Sequence, residues 1–163
     1  MDFTIRNAVP SDLAQICLVE NLAFPPAEAA SEDAFRYRIQ AFPQSFFVAE
    51  QNGQLIGLAN GCATNRPFIS DELYEPLGGH DPAGSTQMVF GLATHPDFRR
   101  RGVAEALLRH MIGFGRQAGK KRLALTCKKE LIPYYEKFGL ACHGVSASTH
   151  GDVVWYDMAM ELS

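Results

Sequence analysis

Residues 3–8 alternate apolar and polar side chains, the period of a strand with one buried face. Pro10-Ser11-Asp12 then predicts a helix start, with Ser11 as its cap and Leu13, Ile16, Cys17 and Glu20 following at helical spacing. Phe24-Pro25-Pro26 ends that helix, because proline cannot continue it and restricts the residue before it. A second short helix is predicted over residues 32–41, capped by Ser31. Residues 46–51 and 54–63 are strand-like and flank Asn52-Gly53, a strong hairpin signal. Residues 64–85 are irregular and rich in Pro, Gly and acids, longer than a routine connection, and such loops tend to carry function.

Residues 86–94 form an uncharged strand, and a long helix follows over about 101–118 with Ala104, Leu107, Leu108, Met111, Gly115 and Ala118 on one stripe. Gly119 closes it and residues 122–127 give the next strand. Residues 131–139 form a short helix with Pro133 in its first turn and Gly139 just past its end. Two strands, over about 140–147 and 153–162, complete the order β-α-α-β-β-β-α-β-α-β-β, an α/β arrangement around one mixed sheet. No repeat or low-complexity tract interrupts it.

Composition narrows the class. The chain has 163 residues, 47% hydrophobic and 20% charged. A domain of that size buries roughly two-thirds of the surface its unfolded form exposes, so a real core is available and intrinsic disorder is excluded. The net charge of -3 argues against a nucleic-acid partner. No uncharged apolar run approaches a membrane span, and the first six residues lack the basic-then-apolar layout of a signal peptide. Cys17, Cys62, Cys127 and Cys142 are scattered without a C-x-x-C pair, as expected of reduced thiols in a cytoplasmic protein. No two Cys or His stand at metal-ligand spacing, so no metal is expected.

The chemistry concentrates in Leu92-Ala93-Thr94-His95-Pro96-Asp97-Phe98-Arg99-Arg100-Arg101-Gly102-Val103-Ala104. A strand ends, a basic turn with a glycine follows, and a helix with small residues in its first turn begins. The first backbone N–H groups of a helix have no intrahelical partner and sit at the positive end of its dipole. Gly102 and Ala104 permit close approach of a bulky anion such as a pyrophosphate, and three arginines can add charge-assisted hydrogen bonds. Neither G-x-x-x-x-G-K-[ST] nor G-x-G-x-x-G is present, so ATP and NAD have little support.

Arg99-Arg100-Arg101-Gly102-Val103-Ala104 resembles the R/Q-x-x-G-x-G/A acetyl-CoA signature of the GCN5-related N-acetyltransferases. Residues 98–102, then Ala124-Leu125-Thr126-Cys127, then Leu131-Ile132-Pro133-Tyr134-Tyr135-Glu136-Lys137-Phe138-Gly139 are similar to the arylalkylamine (serotonin) N-acetyltransferase branch. The resemblance implies a single acetyltransferase domain over residues 1–163, with a mixed, mostly antiparallel central sheet of about seven strands flanked by about four helices. It implies acetyl-CoA as cosubstrate, with the pyrophosphate on the amides of Arg100, Arg101, Gly102, Val103, Ala104 and Glu105, and Arg99 beside them. The pantetheine arm falls along Leu92, Ala93 and Thr94, whose backbone supplies the oxyanion donor. Tyr135 matches the tyrosine that protonates the departing thiolate, and Phe24 and Pro25 match the start of a substrate-covering loop. Nothing marks a covalent acetyl-enzyme, and Cys127 reads as packing.

Where the branch carries two histidines, this chain has Met88 and Phe90, and no side chain from Thr86 to Thr94 titrates near neutrality. Only about one alkylamine in a thousand is neutral at pH 7, so a base or a water chain is needed. Glu28, Glu72, Glu75, His80 and Asp81 are open candidates. His95 reads as a turn residue and His110 as a solvated helix flank, while His143 and His150 lie near the last two strands. Met88 and Phe90 instead suit an apolar acceptor pocket, with Pro26, Phe42 and Phe68 as further walls. The acids Asp71, Glu72, Glu75 and Asp81 are expected to attract a cationic amine.

The expected activity is therefore acetyl transfer to a small primary amine within a ternary complex, by a monomer or homodimer. A module that binds CoA without catalysis, and transfer to a peptide amine, remain open beside it. The charge is unevenly divided. Residues 99–129 hold ten of the fifteen Lys and Arg against Glu105 alone, a net +9, while the remainder carries five cations and seventeen acids, a net -12. A basic third suits the CoA phosphates, and an acidic remainder suits an ammonium.

Overall fold

Two short runs of backbone pairing organise the chain. In a computed structural model that describes residues 2–74 and 79–162, it divides into two compact units, one made of residues up to Gly61 together with Gly91–Met111, the other of Cys62–Phe90 and the residues from Ile112 onward.

The first unit is built on the antiparallel strands β1 (Thr4–Asn7), β2 (Phe46–Gln51), β3 (Gln54–Asn60) and β6 (Gly91–Thr94), in the order β1-β2-β3-β6. Asn52 and Gly53 turn the β2–β3 hairpin with φ of 52° and 81°, the left-handed pair that a tight two-residue loop requires. Helices α1 (Leu13–Ala23) and α2 (Glu32–Ala41) bury Ile16, Val19, Phe35 and Ile39 against Phe46, Val48, Leu58 and Ala93. Ser31 caps α2, its Oγ accepting from the Ala34 N–H at 3.1 Å. Ser11 does not cap α1 as expected. A short 3-10 turn precedes that helix, and Asp12 accepts the Val9 N–H at 2.8 Å while gripping the Arg6 guanidinium through bonds of 2.8 and 2.9 Å. The carboxylate wins the position because it satisfies an orphan N–H and a cation together.

Helix α3 (Val103–Gln117) begins in this unit, against Gly57. A Cβ at Gly57 would lie 2.7 Å from Val103 Cγ1, 3.0 Å from Leu107 Cδ1 and 3.1 Å from the Ala93 carbonyl. The glycine is there for close approach, and it fixes where the helix starts.

The second unit holds β4 (Ala63–Thr64), β5 (Thr86–Val89), β7 (Arg122–Cys127), β8 (Ala141–Val145) and β9 (Tyr156–Glu161), in the order β4-β5-β7-β9-β8, with only β5 and β7 parallel. The short helix α4 (Ile132–Glu136) packs on β8 and β9. The last turns of α3 lie close to β9 because residue 115 is glycine, a Cβ there falling 2.8 Å from Leu162 Cδ1. Lys120 is buried, its ammonium donating to the carbonyls of Pro82 and Gly84 at 2.7 Å each, which fastens the irregular loop to the end of α3.

Among the described residues the architecture is the expected α/β arrangement with four helices, but the strands number nine in two sheets where about seven in one sheet were expected. Both extra strands come from runs read as continuous. The run over 54–63 leaves its ladder after Asn60, where Ser45 captures both polar groups of Gly61 (Gly61 N–H to Ser45 O 3.3 Å, Ser45 Oγ to Gly61 O 2.6 Å). The run over 86–94 divides at Phe90. Both halves are uncharged and neither holds a turn signal, so the sequence carries no mark of the change of partner.

Two outcomes follow from the packing. Gly57→Ala is expected to lower stability by about 1–3 kcal/mol through overpacking, read as a lower urea midpoint with unchanged slope. Arg6 holds the Asp12 carboxyl below its usual range despite partial burial, so its contribution is complete above the ordinary carboxylate pKa and fades as acid titrates it below that range. Asp12→Asn is expected to cost about 1–3 kcal/mol at pH 7 and to cost progressively less toward pH 2, measured by urea unfolding across pH.

Candidate functional site

β6 is the edge strand of its sheet, paired to β3 through Gly57↔Thr94, Leu58↔Ala93 and Asn60↔Gly91. Ala93 is buried, while Leu92 and Thr94 are half-buried. An edge strand can pair with an extended ligand through its outer N–H and C=O groups, the geometry a pantetheine arm would use. Past Thr94 the chain turns through a 3-10 segment, Pro96–Phe98, where His95 Nδ1 accepts the Asp97 N–H at 3.1 Å. His95 is thereby the turn residue it was expected to be.

The segment entering α3 is unusual in its backbone. Arg100 has φ of 64° and Gly102 of 80°, two left-handed residues separated by one, and the Ala106 N–H donates to Gly102 O at 3.0 Å. A side chain at φ above zero is uncommon away from Gly, Asn and Asp, so Arg100 holds a strained position. Arg99 before Arg100 is extended, and the segment leads into the start of a 15-residue helix, whose first N–H groups favour an anion. Arg99, Arg100 and Arg101 are exposed, Arg101 resting on the Phe98 ring at 5.2 Å, and none is in an ion pair among the described residues. Glu105, in the first turn of α3, is 4.0 Å from Arg109.

In the second unit α4 carries Tyr135, which is buried and meets the Tyr134 ring at 5.2 Å. Burial, with Cys127 and Tyr134 adding smaller effects, pushes its phenol well above the ordinary tyrosine pKa, so it holds its proton at neutral pH. Cys127 is buried and its thiol is pushed up to about 11, which removes it as a nucleophile at neutral pH. Met88 is fully buried, and Phe90 is half-buried with its ring 5.1 Å from Tyr74, which in turn lies 5.1 Å from the His150 ring. In the first unit Phe24 packs on the α1–α2 core, Pro25 is exposed, and Phe42 is a core residue rather than a pocket wall.

A model of the acetyltransferase (GNAT) family matches residues 14–140. Serotonin N-acetyltransferase of Macaca mulatta is 34% identical over 161 residues, covering 96% of this chain and 78% of that protein. The chain belongs to the acetyltransferase (GNAT) family. It is an N-acetyltransferase of the GNAT fold, and solved structures agree on the fold. The loading GNATL domain of CurA from Lyngbya majuscula superposes with a TM-score of 0.85 at 13% identity, covering 98% of each chain. YncA of Salmonella typhimurium, a putative acetyltransferase solved with its cofactor acetyl-CoA, superposes at 0.72 with 18% identity, covering all of this chain and 95% of that one.

The acids of the long loop are bonded to their surroundings. Asp71 accepts from Ser148 Oγ and from the N–H and hydroxyl of Thr149, Glu72 is ion-paired with Arg66, and Asp81 accepts from Ala83 and Asn65. Glu75 lies outside the described residues. These bonds tie Asp71, Glu72 and Asp81 into the fold of the loop. Arg66 pairs with Glu72 within the loop, Arg122 reaches the loop from β7 at the Pro67 carbonyl, and the Phe68 ring lies 5.4 Å from the Arg122 guanidinium and 5.1 Å from the His143 ring. His80 is a poor base candidate: its Nδ1 accepts the Ala63 N–H at 3.2 Å, and burial with nearby Lys120 lowers its pKa. His110 is exposed as expected, one side of its ring on Phe47 at 4.5 Å. The left-handed Arg100 and the close contact at Gly57 were missed in the sequence; the glycine in an otherwise apolar strand was the available signal.

Alkylation with iodoacetamide, followed by intact mass, is expected to modify Cys142 in the native chain and Cys127 only after unfolding, since Cys142 is exposed. Native modification of Cys127 at a comparable rate would contradict its burial.

Proposed function

We propose that the chain transfers the acetyl group of acetyl-CoA directly to a small primary amine, an arylalkylamine in preference to a polar one, and that residues 1–163 act as one domain in doing so. The observation that carries the reading is the run from β6 into α3: an edge strand, then a left-handed turn with three exposed arginines, then a helix N-terminus. That sequence of features matches the two parts of CoA, an extended amide-bearing arm and a pyrophosphate. Leu92, Ala93 and Thr94 take the arm in β-pairing, and the amides of Arg100 to Glu105, with Arg99, take the phosphates. Acetyl-CoA supplies the activated acyl group.

A backbone N–H of β6 polarises the acyl oxygen, and Tyr135, protonated at neutral pH, gives its proton to the leaving sulfur. No acetyl-enzyme forms on Cys127, because its thiol stays protonated. The preference for an aromatic or apolar amine rests on the rings of Phe90, Tyr74 and His150, with Met88 beside them in β5. Phe24 and Pro25 keep their assignment as acceptor contacts from the resemblance to the arylalkylamine branch. The lack of a titratable side chain from 86 to 94 favours one other reading, a module that binds CoA and turns nothing over.

Thiol release from acetyl-CoA, followed over a panel of arylalkylamines, polyamines, aminoglycosides and short peptides, separates these. Turnover is expected with arylalkylamines, and Tyr135→Phe is expected to lower kcat about 100-fold with little change in the KM for acetyl-CoA. Tight acetyl-CoA binding with no turnover on any amine would establish the module instead, and turnover confined to peptides would move the acceptor class.

A further inference from the structure

The base that 86–94 lacks is available elsewhere on the same sheet. Met88 is paired in register with Ala124 and Ala124 with Ala159, so these three share one face of the second unit's sheet. Two residues along, Thr126 is opposite Asp157, on the same face and at the level where the chain leaves β5 for Phe90. Asp157 is 8% exposed. Ser146 donates to its carboxylate, but Oδ1 is buried with no hydrogen-bond partner among the described residues.

A buried carboxylate oxygen without a donor is costly, and in a folded chain such an atom calls for a reason. The local backbone is irregular there. Cys142 pairs with Met158 and Val145 with Tyr156, so His143 and Gly144 together stand opposite Asp157 in a bulge, with Gly144 at φ of 98°. The bulge breaks the β8–β9 ladder opposite Asp157, so on that side no single residue is matched with it. Bulges of this kind re-aim side chains next to active sites.

We propose that Asp157 is the proton acceptor for the amine substrate, its Oδ1 receiving an N–H of the substrate ammonium. The assignment rests on the acetyltransferase reading and names a residue for its missing step. The balance is simple. The ammonium nitrogen gives one proton to Oδ1 as its lone pair is freed, the C–N bond forms as the C–S bond breaks, Tyr135 gives its proton to sulfur, and the nitrogen's second proton passes to water, from which Tyr135 is reprotonated. Asp157 then returns its proton to water, so one proton is released per acetyl transferred.

Burial raises the Asp157 pKa, opposed by the Ser146 hydrogen bond and by His143, which makes the carboxylate a stronger base than an exposed aspartate. The groups facing it are Ser146, His143 across the bulge and Thr126 on β7, with the Arg122–Glu161 pair further along the face.

The test is the pH dependence of kcat/KM for an arylalkylamine with the full-length chain, in wild type, Asp157→Asn and Asp157→Glu. Acetyl-CoA affinity and thermal unfolding are measured on each. In wild type kcat/KM is expected to fall in acid through an apparent pKa above the ordinary aspartate value of about 3.9. Asp157→Asn is expected to lose about 100-fold at pH 7 with acetyl-CoA affinity within twofold of wild type, and to climb steadily with pH toward the pKa of the free amine. Asp157→Glu recovers part of the loss. The deficit of the Asn variant shrinks for a weakly basic primary amine such as 2,2,2-trifluoroethylamine, which arrives neutral.

An Asn variant with the wild-type rate and profile overturns the proposal and marks Oδ1 as bonded to water only. Equal losses of rate, acetyl-CoA affinity and cooperative unfolding also overturn it, in favour of a structural role. Failure of the wild type to acetylate any amine overturns the transferase reading itself, and is seen before any variant is made.

Discussion

Backbone pairing around Phe90 is the constraint on which the rest depends. Residues 86–94 read as one strand, yet the first half pairs with β4 and β7 and the second with β3 alone. Every buried N–H and C=O needs a partner, so a chain that changes ladders must do so where its groups can be satisfied on both sides. The same division makes β6 an edge strand, and an edge strand is what an extended amide-bearing ligand can join. A continuous central strand with neighbours on both sides would offer no such edge.

The turn into α3 depends on that strand and on one absent side chain. Gly57 lets Val103 and Leu107 sit against β3, which sets the position of the helix N-terminus next to the end of β6. Arg100 and Gly102 then complete the turn with left-handed backbone. Strain at a residue such as Arg100 persists only where surrounding structure over-determines it, here by the ladder on one side and the helix on the other.

Charge tells a different story in three dimensions than along the chain. Of the basic third, Lys120 donates to the carbonyls of Pro82 and Gly84 and Arg122 pairs with Glu161 and lies over Phe68, while the arginines at 99–101 are exposed at the turn into α3. The acids of the long loop are likewise bonded, to Ser148, Thr149, Arg66 and Asn65. Net charge over a window counts groups without asking whether each has a partner, so it weighs the exposed arginines at 99–101 and the bonded acids of the loop alike.

Much was legible in residue order because it is local. Helix ends at Ser31, Gly119 and Gly139, the Asn52-Gly53 hairpin and the strand–turn–helix at 92–105 depend on neighbours a few residues apart, and local chemistry decides them. Family membership was legible for the same reason, through contiguous motifs. Ser11 against Asp12 as the cap of α1 was not, because Arg6 enters from the preceding strand. The state of Tyr135, the close contact at Gly57, the division of the central strand and the carboxylate of Asp157 facing a bulge all belong to the tertiary structure. Each is set by which groups the fold brings together, and burial, the change of partner and an unsatisfied oxygen have no counterpart in the order of residues alone.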